Sequence, residues 1–322
     1  MTPIPGTAVL YGGDSRECEI SRLSGMAVSE ALRSRGLDII DIDVRNGFLE
    51  TLADSKAKVA FLALHGGFGE DGQIQAILEE AGIPYTGSGP TASRIAMSKP
   101  ATKRLLIQNG IATPEFCLAG PAAGEGTIIQ AAEELGYPLV TKPPGDGSSL
   151  GVSIVSDPSE LHDAVAKVRE TDPCVLMERF IAGRELTVGV FNGRALPPIE
   201  LRCPGFYDFN AKYTTGRTEY IIPPELTLAA ANALEEAALK TYACIGCAGV
   251  ARVDVRLSES GVPYVLEINT IPGLSATSLV PKAARAAGID FAKLCEMMID
   301  DALERHQQPK TGEIVGQKKA SA

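Results

Sequence analysis

Four polar side chains interrupt two apolar runs late in the chain, and their types and spacing suit metal and phosphate chemistry. They are Arg252, Asp254, Glu267 and Asn269. The runs Val250–Val255 and Val262–Ile268 are predicted to be strands joined by a Ser/Gly turn. Residues two apart lie on one face of a strand, so a hairpin would bring three oxygen ligands and a guanidinium together. Hard oxygen ligands favour Mg²⁺, which binds few protein groups and leaves positions for phosphate.

The residues after the second predicted strand add a candidate anion site. The turn Ile271-Pro272-Gly273 can expose backbone N–H groups to an anion. A solvated hairpin with scattered charges is the alternative interpretation. It does not account for an Asn in a Glu-x-Asn strand flanked by Leu266 and Ile268, so we favour metal and phosphate binding.

An alternation of strands and helices over residues 1 to about 95 must position the N-terminal part of the site. Predicted strands cover Thr7–Tyr11, Leu37–Ile42 and Val59–Leu64, and predicted helices cover Ser24–Arg35 and Gly72–Ala81. This order predicts a mainly parallel sheet covered by helices, with ligands bound beyond the carboxyl ends of the strands.

Two glycine-rich stretches, residues 12–15 and 65–72, follow strands of this region. His65, in HGGFGEDG, ends an apolar strand, and the glycines after it let a ligand approach closely. A lone histidine is more often structural, and Glu70 and Asp71 could equally cap the next helix. A dinucleotide-binding fold is the rival for the first stretch, but G-G-D-S-R-E lacks the G-x-G-x-x-G spacing.

A Gly/Ser loop over residues 144–151 separates two predicted strands of a second α/β unit, which spans residues 96–182. Lys142 lies inside the apolar strand Tyr137–Pro143, just before this loop. A buried ammonium needs an anion, and a nucleotide phosphate covered by the loop N–H groups would provide one. A plain β-turn is the alternative, and no Gly-Lys-Ser/Thr opens a helix as in a Walker A loop.

Residues 183–307 form a third predicted unit, and residues 308–322 form a polar, aperiodic tail that we expect to be frayed. A polar loop, Tyr207–Tyr213, lies between the strands of this unit and its long helix Leu226–Tyr242. Such a loop is typical of a mobile lid over an active site.

Composition limits the classes of protein and partner. The 322 residues carry a formal net charge of -10 and a pI near 5.0, which argues against nucleic acid and anionic membranes. No apolar run is long enough to span a bilayer, and the N-terminus lacks the basic region of a signal peptide. Seven cysteines indicate reduced thiols in a cytoplasmic enzyme, and the C-x-x-C pair Cys244 and Cys247 is interpreted as core.

The predicted strand pair resembles the metal-binding strands of the ATP-grasp superfamily, and the run Glu267–Leu279 resembles one branch of it, the D-alanine–D-alanine ligases. GGDSRECEISRLSG, HGGFGEDG and YDFNAKY resemble further motifs of this branch, in the same order, although Cys18 replaces the usual Arg. The resemblance implies an α/β, three-domain ATP-grasp fold. An N-terminal, mainly parallel sheet domain over residues 1–95 would join two α+β units, residues 96–182 and 183–307, that clamp ATP.

The resemblance also implies the ligands of the nucleotide and the metal. Two phosphate-binding lysines fall on Lys99 and Lys142, with Lys103 as the alternative to Lys99. The full set expected to bind phosphates, adenine and ribose is Lys99, Lys142, Glu178, Ile181, Glu185 and Lys212. The set expected to hold two Mg²⁺ ions, or Mn²⁺ in their place, is Asp254, Glu267 and Asn269.

The implied reaction joins two D-alanines through a D-alanyl phosphate, as peptidoglycan precursor synthesis requires, in a cytoplasmic homodimer. The residues expected at the reaction centre are Glu17, His65, Ser148, Tyr213, Arg252 and Gly273, and those at the second substrate's carboxylate are Ser278 and Leu279. Tyr213 favours D-alanine over D-lactate as acceptor. The alternatives are an ATP-grasp ligase with another acceptor such as D-lactate, a nucleotide-binding protein without turnover, and a nicotinamide-dependent dehydrogenase.

Overall fold

The computed structural model describes residues 6–45, 47–145, 147, 151–203 and 218–307, which form three β-sheets with helices packed on them. Each sheet takes its strands from a separate stretch of the sequence, in the order in which the chain runs. The domain boundaries near residues 95 and 182 stay a prediction.

The first sheet has three parallel strands in the order β2-β1-β3, which confirms the predicted parallel arrangement. Its strands are β1 (Thr7–Tyr11), β2 (Ile39–Asp43) and β3 (Val59–Leu62), and the helices of this region are α1 (Cys18–Ser34), α2 (Phe48–Asp54) and α3 (Gln73–Glu80). Alternate residues of β1 and β3 belong to two different cores: Val9 and Phe61 to one, Leu10 and Leu62 to the other. Both faces of the sheet are therefore covered, as is usual for parallel strands.

Helix α1 begins at Cys18 instead of the predicted Ser24. Its first turns carry buried serines toward the sheet, and Ser21 Oγ donates to the carbonyl of Ala63 at 2.8 Å. Farther along, Gly25 lets the helix approach β1 closely, because a Cβ there would lie 2.5 Å from Cβ of Tyr11. Polar and small residues at the helix contact thus hid the start of α1 from hydrophobic periodicity.

The second sheet is antiparallel, with the order β4-β7-β5-β6. Its strands are β4 (Phe116–Ala119), β5 (Leu139–Lys142), β6 (Ser153–Val155) and β7 (Val175–Arg179). The helices between β3 and β7 that follow α3 are α4 (Pro90–Met97), α5 (Lys99–Gln108), α6 (Glu125–Leu135) and α7 (Leu161–Arg169). The sequence patterns do not predict α2, α4 or β4, all of which are short.

The third sheet is also antiparallel and has the order β11-β10-β8-β12-β13, with β9 paired to β8. Its strands are β8 (Gly183–Phe191), β9 (Arg194–Ala195), β10 (Ile199–Arg202), β11 (Glu219–Ile221), β12 (Val250–Ser258) and β13 (Pro263–Asn269). The helices of this region are α8 (Leu228–Ile245), α9 (Leu279–Ala286) and α10 (Phe291–Gln307). The long strands β8 and β12 pair along their whole length and form the centre of this sheet.

The last helix does not pack only against the third sheet. Leu294, Met298 and Ile299 of α10 are buried in the same core as Val9 and Phe61 of the first sheet. The C-terminal end of the described chain therefore completes an N-terminal core.

Two further features of the described residues concern membrane-spanning helices and the state of the cysteines. No described helix has the length and apolar character needed to cross a bilayer. All seven cysteines are free thiols. Cys244 and Cys247 pack against the core of the third sheet, and burial raises the pKa of Cys247 to about 12.

Candidate functional site

The predicted hairpin is present, and its register brings the predicted metal ligands together. In the antiparallel pair β12–β13, Asp254 lies directly opposite Glu267, and Arg252 lies directly opposite Asn269. The pairing shifts between Asp254 and Val255, so the matched register ends just after these two rows. The alternation of side chains along both strands therefore predicted the shared face correctly.

Each carboxylate of this face already has a cationic partner. Arg252 donates to Asp254 through Nε and Nη2, both at 2.8 Å, in a forked ion pair. Thr187 on β8 donates from Oγ1 to Asp254 Oδ1 at 2.7 Å. On the neighbouring strand, Lys99 Nζ lies 3.3 Å from Glu267 Oε2. The negative charge of the site is thus balanced by two of the residues that the sequence assigned to substrate and phosphate.

The donor set suits a hard divalent cation. Asp254 and Glu267 supply carboxylate oxygens from adjacent strands, and Asn269 adds an amide whose Oδ1 accepts the N–H of Ile271 at 2.8 Å. Among the described residues, no group of three or more His, Cys, Asp and Glu gathers in metal-binding proximity. Two carboxylates and an amide are few protein ligands, which is typical of Mg²⁺ that also binds phosphate oxygens.

Lys142 lies in a buried cluster of charges between the second and third sheets. Its Nζ is 2.8 Å from Glu178 Oε1, and Nζ of Lys103 is 3.1 Å from the same oxygen. Lys103 also donates to Thr113 Oγ1 at 2.7 Å, and this hydroxyl donates to the carbonyl of Val265 on β13. The buried ammonium of Lys142 therefore has a protein partner, and burial alone does not demand a nucleotide.

The geometry distinguishes between the two lysines that the sequence left as alternatives. The Lys103 side chain is fully buried and is held by Glu178 and Thr113, whereas Lys99 reaches Glu267 on the metal-ligand face. Burial, opposed by Glu178 and assisted by Lys142, lowers the pKa of Lys103 to about 8. Burial raises the pKa of Glu178, but the two lysines outweigh it and lower that pKa below its ordinary value. Lys99 as the phosphate lysine stays a prediction, and Lys103 is a buried partner of Glu178 and Thr113.

Two of the residues predicted beside adenine and ribose, Ile181 and Glu185, contact a side chain that the sequence interpretation missed. Arg256 Nη1 lies 3.2 Å from Glu185 Oε2, and Arg256 Nε donates to the carbonyl of Ile181 at 3.2 Å. A signal was available, because Arg256 continues the period-two series of Arg252 and Asp254 along β12.

His65 lies under the same face as a buried, neutral ring. Its Nε2 is 3.1 Å from Ser24 Oγ, and its carbonyl accepts a hydrogen bond from Ser15 Oγ at 2.6 Å. Burial and the nearby charge of Arg252 lower the pKa of His65 to about 4. At neutral pH this ring therefore acts through hydrogen bonds and not through a positive charge.

Two acidic residues lie beside Gly66, the residue after His65. Glu17 is close to the glycine-rich loop, since a Cβ on Gly66 would lie 2.9 Å from Glu17 Oε2 and one on Gly147 would lie 3.3 Å from it. Glu70, for which the sequence left a helix-capping role open, accepts the N–H of Gly66 through Oε2 at 2.6 Å. Burial and the neighbouring Glu17 raise the pKa of Glu70 to about 7. Glu70 is thus a buried loop-holding group that sequence reasoning missed.

The turn after β13 leads into the predicted carboxylate site. Ser278 is the residue before α9, its Oγ accepts the N–H of Ser275 at 3.1 Å, and Leu279 is the first residue of the helix. A Cβ on Gly273 would lie 3.0 Å from Ser278 Oγ, so a larger residue would crowd this hydroxyl. Helix N-termini offer unpaired N–H groups that suit a carboxylate.

Three predicted site residues, Ser148, Lys212 and Tyr213, lie outside the described residues. Of the others, Lys99 contacts Glu267 on the β12–β13 face, and Glu185 contacts Arg256 on β12. Arg252 influences the ionisation of both His65 and Glu70, and Glu267 influences that of Glu70 and Lys103.

Comparison with known proteins gives consistent matches over almost the whole chain. The chain matches the family described as D-ala D-ala ligase C-terminus over residues 105–300 and that described as D-ala D-ala ligase N-terminus over residues 45–88. The D-alanine--D-alanine ligase of Syntrophotalea carbinolica is 46% identical over 299 residues, which cover 92% of this chain and 95% of that protein. The ligase of Moorella thermoacetica is 46% identical over 92% of this chain and 99% of its own length.

A solved structure extends this similarity to three dimensions. The D-alanine--D-alanine ligase from Bacillus anthracis, crystallised in complex with ATP, has a TM-score of 0.84 to this chain at 34% identity. The match covers 94% of this chain and 98% of that one.

Proposed function

Because the chain belongs to the D-alanine–D-alanine ligase family, we propose that it joins two D-alanine molecules with release of ADP and phosphate, a step that supplies peptidoglycan precursors. The observation that carries this proposal is the face on which Asp254 lies opposite Glu267, with Lys99 and Arg252 in contact with these carboxylates. Such a face combines groups for a metal, for phosphate and for an oxyanion.

In the first half of the reaction, the carboxylate of one D-alanine attacks the γ-phosphorus of ATP. An acyl phosphate forms, the bond to the β-phosphate oxygen breaks, and ADP leaves. Lys99 and Lys142 neutralise phosphate oxygens, and each ammonium has three donors, so it can keep its present carboxylate partner while it binds phosphate. Phosphoryl transfer depends mainly on such positioning and charge neutralisation.

Asp254, Glu267 and Asn269 are the residues that would hold Mg²⁺, with Mn²⁺ as a substitute. When bound, such an ion supplies positive charge against the phosphate oxygens. The forked pair with Arg252 holds the Asp254 carboxylate in a fixed orientation on this face.

In the second half, the amine of another D-alanine attacks the carbonyl carbon of the acyl phosphate, and phosphate leaves from a tetrahedral intermediate. The Arg252 guanidinium and the Gly273 N–H stabilise the developing oxyanion, and each such donor is typically worth about 2.7–4 kcal/mol. Glu17 holds the amino group of the first D-alanine, and neutral His65 contributes a hydrogen bond beside it. Ser278 and the N–H of Leu279 hold the carboxylate of the second D-alanine.

The nucleoside of ATP lies toward the other end of the face in this proposal. The segment at Glu178 and Ile181 receives adenine, and Glu185 binds the ribose hydroxyls. The residues outside the described ranges keep their predicted places, with Lys212 at the phosphates and Ser148 and Tyr213 beside the D-alanines. Family membership also leads us to propose that the protein is a cytoplasmic homodimer. Light scattering on the purified chain would test the oligomeric state.

A coupled assay of ADP and phosphate release tests the proposed reaction. With ATP, Mg²⁺ and D-alanine we expect both products, together with a dipeptide mass that matches D-alanyl-D-alanine. L-Alanine and D-lactate serve as alternative acceptors in parallel reactions, and EDTA should stop turnover. Phosphate release that does not depend on D-alanine, or that is equally fast with D-lactate, would contradict the proposal.

A further inference from the structure

Arg256 contacts both Glu185 and Ile181, two of the residues proposed to bind the nucleoside of ATP. It lies two residues beyond Asp254 on the same face of β12 and pairs directly with Glu185 across the β8–β12 ladder. Its guanidinium contacts the Glu185 carboxylate at 3.2 Å, the carbonyl of Ile181 at 3.2 Å and the ring of Phe180, whose centroid is 5.4 Å away. Only 17% of the Arg256 side chain and 15% of that of Glu185 are exposed, so this ion pair is largely shielded from water.

Building on the proposed function, we propose that Arg256 is a positioning residue for the nucleoside part of ATP. It orients Glu185 toward the ribose hydroxyls and fixes the backbone at Ile181, where the base binds. A guanidinium is planar and holds two acceptors in a fixed relative direction, which the single ammonium of a lysine does not do. A carboxylate has about four lone-pair sites, so the one paired with Arg256 can also accept hydrogen bonds from hydroxyl donors.

The backbone carbonyl of Ile181 is held by a hydrogen bond, and its backbone N–H is available to a ligand. Its carbonyl accepts from Arg256, whereas its N–H has no hydrogen-bond partner among the residues that the structure describes. Holding the carbonyl fixes the plane of the following peptide unit and limits rotation of the segment. The available N–H suits a ring nitrogen acceptor of a base, so one arginine orders a donor for the base and an acceptor for the sugar.

Arg256 lies far along β12 from Arg252, the residue proposed to stabilise the oxyanion. Arg252 and Arg256 are four residues apart, which corresponds to about 13 Å of extended strand. Loss of Arg256 should therefore weaken nucleotide binding and leave the acyl-transfer end of the face intact. This separation predicts an effect on KM for ATP instead of an effect on kcat.

Steady-state kinetics of Arg256→Met in the full-length protein test the proposal. We expect KM for ATP to rise about tenfold, in line with a lost hydrogen bond to a charged group, while kcat and KM for D-alanine stay within about twofold. Preference for ATP over 2′-deoxy-ATP and 3′-deoxy-ATP, measured as a ratio of kcat/KM values, should shrink in the variant. A general structural defect would not change this ratio.

Arg202→Met is the matched control, because Arg202 forms its ion pairs with Glu200 and Glu219 of the same sheet, and 58% of its side chain is exposed. It should leave both KM values and the deoxy-nucleotide ratio unchanged. Arg256→Lys keeps the charge without the forked donors and should shift KM for ATP in the same direction by a smaller factor, and it decides the outcome if the Met variant does not fold.

An unchanged KM for ATP and an unchanged deoxy-nucleotide ratio in a folded Arg256 variant would overturn the role of Arg256 while leaving the ligase reaction standing. If wild-type protein forms no ADP with D-alanine, it is the proposed function that fails. The same assays therefore distinguish failure of the Arg256 proposal from failure of the proposed ligase function.

Discussion

The two ends of the candidate site are held together by different kinds of interaction. At the nucleotide end, charged side chains pair with one another: Lys103 and Lys142 share Glu178, and Arg256 holds Glu185. At the amino-acid end, the groups are neutral or close to neutrality. His65 bonds to Ser24 with its pKa lowered to about 4, and Glu70 holds the N–H of Gly66 with its pKa raised to about 7.

This difference matches the charge of what each end is proposed to bind. Two lysines around one glutamate leave a net positive charge that suits a polyphosphate. An amino acid carries both an ammonium and a carboxylate, so a strong field of one sign would repel one of its ends. Neutral hydrogen-bonding groups hold the loop there, and Arg252 and Glu17 are left to distinguish the two ends of the substrate. The experiments below separate the two modes of support.

The largest expected effect is that of Glu267→Gln at the junction of the two ends. Loss of the carboxylate opposite Asp254 removes a metal ligand and the partner of Lys99. We expect kcat to fall by about 10³-fold, since a bound metal contributes several kcal/mol to charge stabilisation. ADP release at saturating ATP and Mg²⁺ measures the effect. Glu259→Gln, in the exposed turn of the same hairpin, should retain full activity, and equal activity in the two variants would refute the metal assignment.

The next effect concerns stability and tests the buried charges of the nucleotide end. Glu178→Gln leaves two buried lysines without their shared anion and should lower the free energy of unfolding by about 3–5 kcal/mol. Lys103→Met should cost less, because Glu178 keeps Lys142 and the methionine fills a similar volume. Urea unfolding of both variants measures the difference. A Lys103→Met variant as unstable as Glu178→Gln would show that the cluster does not depend on its central carboxylate.

The smallest effect is a pH dependence at the amino-acid end. Burial raises the pKa of Glu70 from its ordinary 4.5 to about 7, so the folded protein binds a proton that the unfolded chain releases between these values. Stability from Glu70 is therefore present below pH 4.5 and falls as the pH rises through 7. From pH 5 to pH 8 we expect wild type to lose about 2 kcal/mol relative to Glu70→Gln.

Urea unfolding of wild type and Glu70→Gln at a series of pH values measures this difference. Glu80→Gln, at an exposed position on α3, should follow the wild-type pH profile. Parallel profiles for wild type and Glu70→Gln would mean that Glu70 is ionised in the folded protein at neutral pH.

Local patterns predicted those parts of the site that depend on one strand or one turn. Alternation along β12 and β13 placed Arg252, Asp254, Glu267 and Asn269 on a shared face, and the register of the pair confirms this. The parallel N-terminal sheet followed from the order of its strands and helices and is also confirmed. Both inferences use a period that the backbone imposes, so they need no knowledge of distant residues.

Contacts between distant elements could not be predicted in this way. Lys142 was expected to need an anion, but nothing local indicates that Glu178, on another strand, supplies it. Lys103 and Lys99 lie one helical turn apart and look alike in sequence; both are buried, and only tertiary packing pairs the first with Glu178 and the second with Glu267. The start of α1 was missed because Ser21 and Ser24 satisfy buried partners instead of forming an apolar stripe. Tertiary partners decide each of these cases.

The placement of α10 has a consequence for the order in which the protein can be made. Val9 and Phe61 leave the ribosome early, yet they share a core with Leu294 and Met298, which are synthesised last among the described residues. The N-terminal sheet thus keeps an apolar surface uncovered through most of translation and closes it only when the far end of the chain arrives. A nascent chain cut short before α10 would present that surface to chaperones and proteases. The N-terminal core is therefore fully buried only after α10 has been synthesised.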